Sequence, residues 1–163
     1  MGFSLVTGVR GFDIPEVAQN LQSYRAAWRE AGHPGEGNVY LRIPIYVGAS
    51  DEAGIRDPEQ STMRSYRRMA ENFTRSAASS GATPNEERMA RGIRLSQVTY
   101  EDLLRDRLAY GSPDTVVEKL QQIRDRLGLD GVIMEPNVGG QLTSQQVLDS
   151  IRLYAQEVAP PLR

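Results

Sequence analysis

Residues 111–135 read GSPDTVVEKLQQIRDRLGLDGVIME, a helix followed directly by a strand. Ser112 is a good N-cap and Pro113 suits the first helical position. Val116, Leu120, Ile123 and Leu127 then mark one helical face. Gly128-Leu129-Asp130-Gly131 turns the chain, and Val132–Glu135 reads as a short buried strand that ends in an acid. A helix feeding an apolar strand is the repeating unit of a parallel sheet with helices outside it.

The same alternation extends outward from this stretch. Upstream, Val39–Gly48 (VYLRIPIYVG) is the clearest strand: Val39, Leu41, Ile43, Ile45 and Val47 share one face, and Tyr40, Arg42, Pro44 and Tyr46 the other. Pro44 lacks a ladder donor, which argues for an edge or a distortion. Phe3–Val9 reads as a first buried strand. Asp13-Ile14-Pro15-Glu16 then caps a helix striped by Val17, Leu21, Tyr24 and Trp28 and stopped at Gly32. Asp57-Pro58 is expected to start another helix, with Met63, Tyr66, Ala70, Phe73 and Ala77 on one face, ending at Ser79-Ser80-Gly81. Ala78–Gln97 is polar and poorly periodic and is expected to be a long, partly mobile excursion. A short helix follows from Thr99. After the strand at Val132–Glu135, Thr143-Ser144-Gln145-Gln146 is a capping box for a last helix striped by Val147, Ile151, Tyr154 and Val158. There is no repeat, low-complexity tract or linker. Five apolar helix faces are generous for three strands to cover, an imbalance that suggests something is missing.

The chain has 163 residues, fewer than the roughly 200 of a complete (β/α)8 barrel. No stretch approaches the ~20 apolar residues of a membrane span, and the N-terminus lacks the marks of a secretory signal. The absence of cysteine removes disulfides and thiol chemistry, and suits a cytoplasmic protein. A net charge of -2 gives no footprint for nucleic acid. Basic residues are nearly all arginine, with Lys119 the single lysine. His33, the single histidine, lies in a Gly/Pro loop, and the carboxylates show no ligand spacing, so no metal is expected.

Three stretches carry a resemblance. One is Gly8-Val9-Arg10-Gly11-Phe12-Asp13 with the helix ending Trp28-Arg29-Glu30-Ala31-Gly32-His33-Pro34-Gly35. Another is Leu41–Val47 with Glu59-Gln60-Ser61-Thr62-Met63-Arg64-Ser65-Tyr66. The third is Tyr110-Gly111-Ser112-Pro113-Asp114-Thr115-Val116, its helix, and Asp130–Asn137. Together they resemble the C-terminal part of a luciferase-like flavin-dependent monooxygenase, the superfamily of bacterial luciferase and alkanesulfonate monooxygenase. The resemblance implies an α/β fold: a partial (β/α)8 TIM barrel holding the last three β/α units, with residues 1–163 as its C-terminal portion. It implies that residues 51–110 match a helical excursion containing an active-site lid. It also implies reduced FMN, or a deazaflavin, acting with oxygen on a small organic substrate. In this family the earlier strands supply most flavin contacts. The alternative is a non-catalytic barrel remnant, or a subunit that completes a barrel with a partner chain. Both bare edges and a homo-oligomer fit that picture.

Barrel chemistry sits beyond the C-terminal ends of the strands, here Thr7–Gly11, Gly48–Asp51 and Glu135–Gly140. Arg10 can hold a phosphate, sulfonate or carboxylate bidentately, or pair with Asp13 or Glu16 at the helix start. Glu135 ends an apolar strand and either orients a ligand or partners an arginine. Asn137, Gly139 and Gly140 either let backbone approach a ligand or form a turn. Ser50 is a binding candidate in the second loop, with no base near it in sequence. Arg42, on the inward face of the best strand, is expected to be a buried cation with Glu135 as its mate, or part of a structural network lower in the barrel. Arg64, Arg67 and Arg68 either face an anionic ligand or form a solvated face. No residue is assigned a catalytic step.

Overall fold

The computed structural model describes residues 2–78 and 85–162. Four strands, β1 (Leu5–Gly8), β2 (Val39–Val47), β3 (Ala109–Gly111) and β4 (Gly131–Glu135), form one sheet in which every pairing is parallel. The helices are α1 (Ile14–Glu30), α2 (Asp51–Ala78), α3 (Glu86–Ser96), α4 (Tyr100–Asp106), α5 (Pro113–Leu127) and α6 (Ser144–Leu153). A wider π turn at Tyr154–Val158 and a short 3-10 turn at Pro160–Leu162 follow α6. The α/β reading holds, with β1, β2 and β4 as consecutive barrel strands. The capping boxes at Asp13/Glu16 and Thr143/Gln146 both form, and Ser112 caps α5.

Tyr40, Leu41 and Arg42 of β2 pair both with β1 (Val6, Thr7, Gly8) and with β4 (Gly131, Val132, Ile133), so β1 and β4 lie on opposite edges of β2. The expectation of an edge strand at Pro44 is therefore corrected: β2 is central. The Val39 carbonyl accepts from Asp130 N–H at 2.9 Å on the β4 side, so alternation turns the nitrogen of Pro44 toward the other edge. There β1 pairing has already ended at Arg42, and the missing N–H breaks no rung.

Two cores flank the strands. Val39, Leu41, Ile43, Ile45 and Val47 pack with Val17 and Leu21 of α1 and with Val116, Leu120, Ile123 and Leu127 of α5. Tyr46 and Tyr110 join a second core with Tyr66 and Ala70 of α2, Leu95 of α3 and Leu103 of α4. Part of the inner sheet face is open: Val6 is 57% and Ile133 41% exposed. Each forgoes part of the roughly 1.5–3 kcal/mol that full burial of such a side chain contributes. Among the described residues, β1 and β4 pair with no strand other than β2. An open parallel sheet with outer helices and a partly uncovered inner face is a partial (β/α)8 barrel.

Other expectations change. The helix expected from Asp57 begins at Asp51, with Pro58 inside it. Ser50 accepts from Ala53 N–H at 3.3 Å, and Asp51 takes Ser112 N–H at 2.7 Å, so the earlier acid-rich turn starts the helix. These bonds to Ser112, with one to Thr115, hold the Asp51 carboxyl below its ordinary range. Within the expected excursion, α3 is helical, capped by Asn85 and buried through Gly92 and Leu95. The helix end expected at Ser79-Ser80-Gly81 lies outside the described residues. Ile151 is exposed, while α6 buries Ser150, whose hydroxyl accepts from Val47 N–H at 2.8 Å beyond the end of β4. No helix among the described residues is long and apolar enough to cross a membrane.

Candidate functional site

Parallel pairing brings the C-terminal ends of β1 and β4 to one end of the sheet. Two of the expected residues meet there. Arg10 Nη1 donates to Glu135 Oε1 at 2.9 Å, with the two side chains 24% and 22% exposed. Nη2 of Arg10 donates to Ser65 Oγ of α2. Arg42 Nε stands 3.9 Å from Glu135 Oε2, but its side chain is more exposed than paired, so the expected buried cation is corrected to one on the open inner face. Asp13 and Glu16 do not take Arg10: they cap α1 reciprocally at 2.9 and 3.0 Å, and Glu16 also pairs with Arg94 at 3.4 Å. The Arg10 carbonyl accepts from Arg107 Nη1 at 3.3 Å.

Among the described residues, three atoms of this cluster are buried without a hydrogen-bond partner: Arg10 Nε, Glu135 Oε2 and Tyr66 Oη. Burial pushes the Tyr66 phenol up to about 12, Glu135 adds to the shift, and Arg107 and Arg10 oppose it. Tyr66 therefore stays a protonated donor at neutral pH. The cluster offers a ligand two donors and one carboxylate acceptor. Unsatisfied buried groups of this kind are costly, and a polar ligand is one way to satisfy them.

Asn137 and Gly139 lie in the loop after β4, and that loop is seated on α2. Ser61 Oγ donates to the Val138 carbonyl at 2.6 Å and accepts from Gln141 N–H at 3.1 Å. Asn137 closes the loop on itself, its Oδ1 accepting from Leu142 N–H at 3.3 Å and its carbonyl from Gly140 N–H at 3.2 Å. Gly139 has φ +88°, and a Cβ there would overlap the Ser61 carbonyl, so the backbone approach that the glycine permits is to α2. Ser50, exposed, makes its hydrogen bonds within the start of α2. Ser61, Ser65, Tyr66 and Arg107 were not anticipated. The signal was present: Ser61, Thr62 and Ser65 interrupt the apolar stripe of α2, and Thr62 Oγ1 meets Tyr110 Oη at 3.0 Å. Among the described residues no three His, Asp or Glu side chains gather as a metal site. His33 packs on Trp28 at 4.7 Å between ring centres.

A sequence profile described as luciferase-like monooxygenase matches residues 4–131. No curated protein sequence matches the chain. Solved structures do. The oxygenating constituent of 3,6-diketocamphane monooxygenase from Pseudomonas putida, in complex with FMN, superposes with TM-score 0.66 at 19% identity, over 97% of this chain and 42% of that one. EDTA monooxygenase from Chelativorans sp. BNC1 gives 0.57 at 19% identity, over 99% and 42%. Coenzyme F420-dependent tetrahydromethanopterin reductase from Methanopyrus kandleri gives 0.59 at 16%, over 93% and 43%. At these identities the likeness is one of fold, and the chain spans less than half the length of each. With the profile covering most of its residues, the chain belongs to the luciferase-like monooxygenase family.

Proposed function

We propose that this chain supplies the C-terminal barrel part of a cytoplasmic flavin-dependent monooxygenase acting on a small organic substrate. The observation that carries the reading is the Arg10–Glu135 pair with Ser65 and Tyr66, set where β1 and β4 end on the open inner face. Arg10 Nε, Glu135 Oε2 and Tyr66 Oη, which lack a hydrogen-bond partner among the described residues, fit the polar edge of a flavin or its substrate. Reduced flavin, when bound, supplies the oxygen chemistry. FMN is the proposed form, and a deazaflavin is the alternative. Arg10 and Tyr66 hold a ligand oxygen or ring nitrogen by donation, and Glu135 keeps the Arg10 guanidinium aimed. The helices of residues 51–110 roof the site, α2 reaching it through Ser61 and Ser65 and excluding water from that side. The loop after β4, held by Asn137 and Gly139, edges the pocket.

A flavin fluorescence titration tests the partial-site reading. The expected result is weak FMN binding by this chain alone. Tight stoichiometric binding would overturn the view that most flavin contacts come from elsewhere. In an assembled barrel that contains this chain, oxygenation unaffected by Arg10→Gln and Glu135→Gln would remove those residues from the pocket.

The exposed Val6 and Ile133, beside edges that pair with no further strand among the described residues, favour a second reading: a barrel remnant or subunit whose role is to complete a barrel with another chain. Unchanged activity of an assembled barrel when this chain's site residues are replaced, with assembly still required, distinguishes that role.

A further inference from the structure

We propose that the groove along the exposed arginine face of α2 is an anion site for a phosphate-class group carried by a small molecule. The groove measures about 570 Å³ and is lined by Gln60, Arg64, Arg67, Arg68, Glu71 and Gln141. Arg64 sits three and four residues before Arg67 and Arg68, spacings that set like charges side by side at an energetic cost. Elsewhere arginines are mostly engaged: Arg10, Arg25, Arg29, Arg42, Arg56, Arg91, Arg94, Arg105, Arg124 and Arg152 all form ion pairs. Among the described residues, Arg64, Arg67 and Arg68 have no ion-pair or side-chain hydrogen-bond partner. Glu71 lies within reach by helical spacing yet pairs with neither Arg67 nor Arg68 in this structure. Three guanidiniums against one carboxylate leave a local excess of +2 on a chain of net charge -2. Long-range attraction does not bring anions to this protein as a whole, so capture rests on the groove itself. Guanidinium forks bind tetrahedral oxyanions bidentately, and Gln60 and Gln141 add amide donors.

The groove adjoins the candidate site. Ser61, next to Gln60, holds the loop that carries Gln141, and Ser65, next to Arg64, bonds Arg10. One helix thus presents the site with one stripe and the arginines with the neighbouring stripe. A molecule with a phosphate at one end fits that arrangement. The inference does not depend on the flavin reading.

The test is calorimetric titration of inorganic pyrophosphate into the whole chain at low salt. The expected result is saturable binding that Arg64→Gln/Arg68→Gln weakens at least about tenfold, a 1.4 kcal/mol loss. Arg126→Gln, which removes one exposed charge on α5, leaves it unchanged. Competition by FMN but not by riboflavin assigns the phosphate to a flavin cofactor, and binding of pyrophosphate without FMN competition assigns it to another phosphorylated molecule. Absent saturation, or equal weakening by Arg126→Gln, overturns the proposal. Circular dichroism of each variant confirms that the fold is kept.

Discussion

Arg10 and Glu135 are separated by 125 residues in sequence and 2.9 Å in space. The pair exists because β1 and β4 run parallel on either side of β2 and end together. It ties the first loop of the chain to the last strand, and Ser65 ties both to α2. Glu135→Gln leaves the half-buried Arg10 without its counter-charge. Exposed pairs are worth under about 1 kcal/mol, and breaking a fully buried one costs about 3–5. The intermediate burial here sets the expected cost at about 1–2 kcal/mol, read as a lower urea midpoint. A double-mutant cycle with Arg10→Gln returns a coupling near 1 kcal/mol if the contact is direct. Strict additivity would show that the two residues act independently.

Gly139 and Gly140 provide an internal comparison. Both have positive φ, +88° and +72°, so either alanine strains the backbone by about 1–2 kcal/mol. At Gly140 nothing lies within 4 Å of the added methyl, while at Gly139 it strikes the Ser61 carbonyl. Gly139→Ala is expected to cost at least about 1 kcal/mol more than Gly140→Ala, because the loop must lift from α2 as well. Thermal melts of the two variants decide this. Equal losses would mean that the loop is not seated on Ser61.

How far these features could be read beforehand depends on what makes each one. The alternation in Val39–Val47 exposed β2 because its faces meet different surroundings, an apolar core on one side and Tyr, Arg and Pro positions on the other. Ala109–Gly111 spans three residues, too few for any period, and its strand character comes only from pairing with Ile45–Val47. Helix α3 escaped because its contact with α2 runs partly through Gly92, packed at Thr74, and a glycine carries no hydrophobic signal. Arg10 and Glu135 were each nominated by the rule that barrel sites lie at strand C-termini. Their pairing was not anticipated: Asp13 and Glu16 were the carboxylates expected for Arg10, and because those two cap α1 reciprocally, Arg10 turns to Glu135 instead. Tyr66 looked like plain core because its ring is core; only its hydroxyl belongs to the site.

The exposed sheet predicts association. Val6 and Ile133 lie on the inner face next to the unpaired edges of β1 and β4, and such edges recruit other strands. Sedimentation velocity over a range of concentrations is expected to show growing oligomers. Val6→Lys and Ile133→Lys should reduce them, since an added charge opposes burial of that face. A chain that stays monomeric at high concentration contradicts the prediction.

Tyr66 makes a prediction about alkaline pH. Its phenol ionises near 10 when the chain is unfolded, and burial pushes this up to about 12 in the fold. Between those values the folded state holds a proton that the unfolded state has released. The stabilisation is therefore complete below pH 10 and is lost as pH rises toward 12, at roughly 1.4 kcal/mol per pH unit at most. Burial raises Tyr46, Tyr100, Tyr110 and Tyr154 as well, so the wild-type slope sums several groups. Comparison with Tyr66→Phe isolates one of them. At neutral pH that substitution removes a hydroxyl that bonds to nothing, so stability should be unchanged or slightly higher. Tyr110→Phe, which breaks the 3.0 Å bond to Thr62, should cost about 1 kcal/mol. Above pH 10 the Tyr66→Phe protein should lose stability less steeply than wild type, with ultraviolet absorbance of tyrosinate reporting the missing late titration. An unchanged alkaline slope would place the Tyr66 hydroxyl in contact with solvent, and with that its use as a buried donor to a ligand would fall.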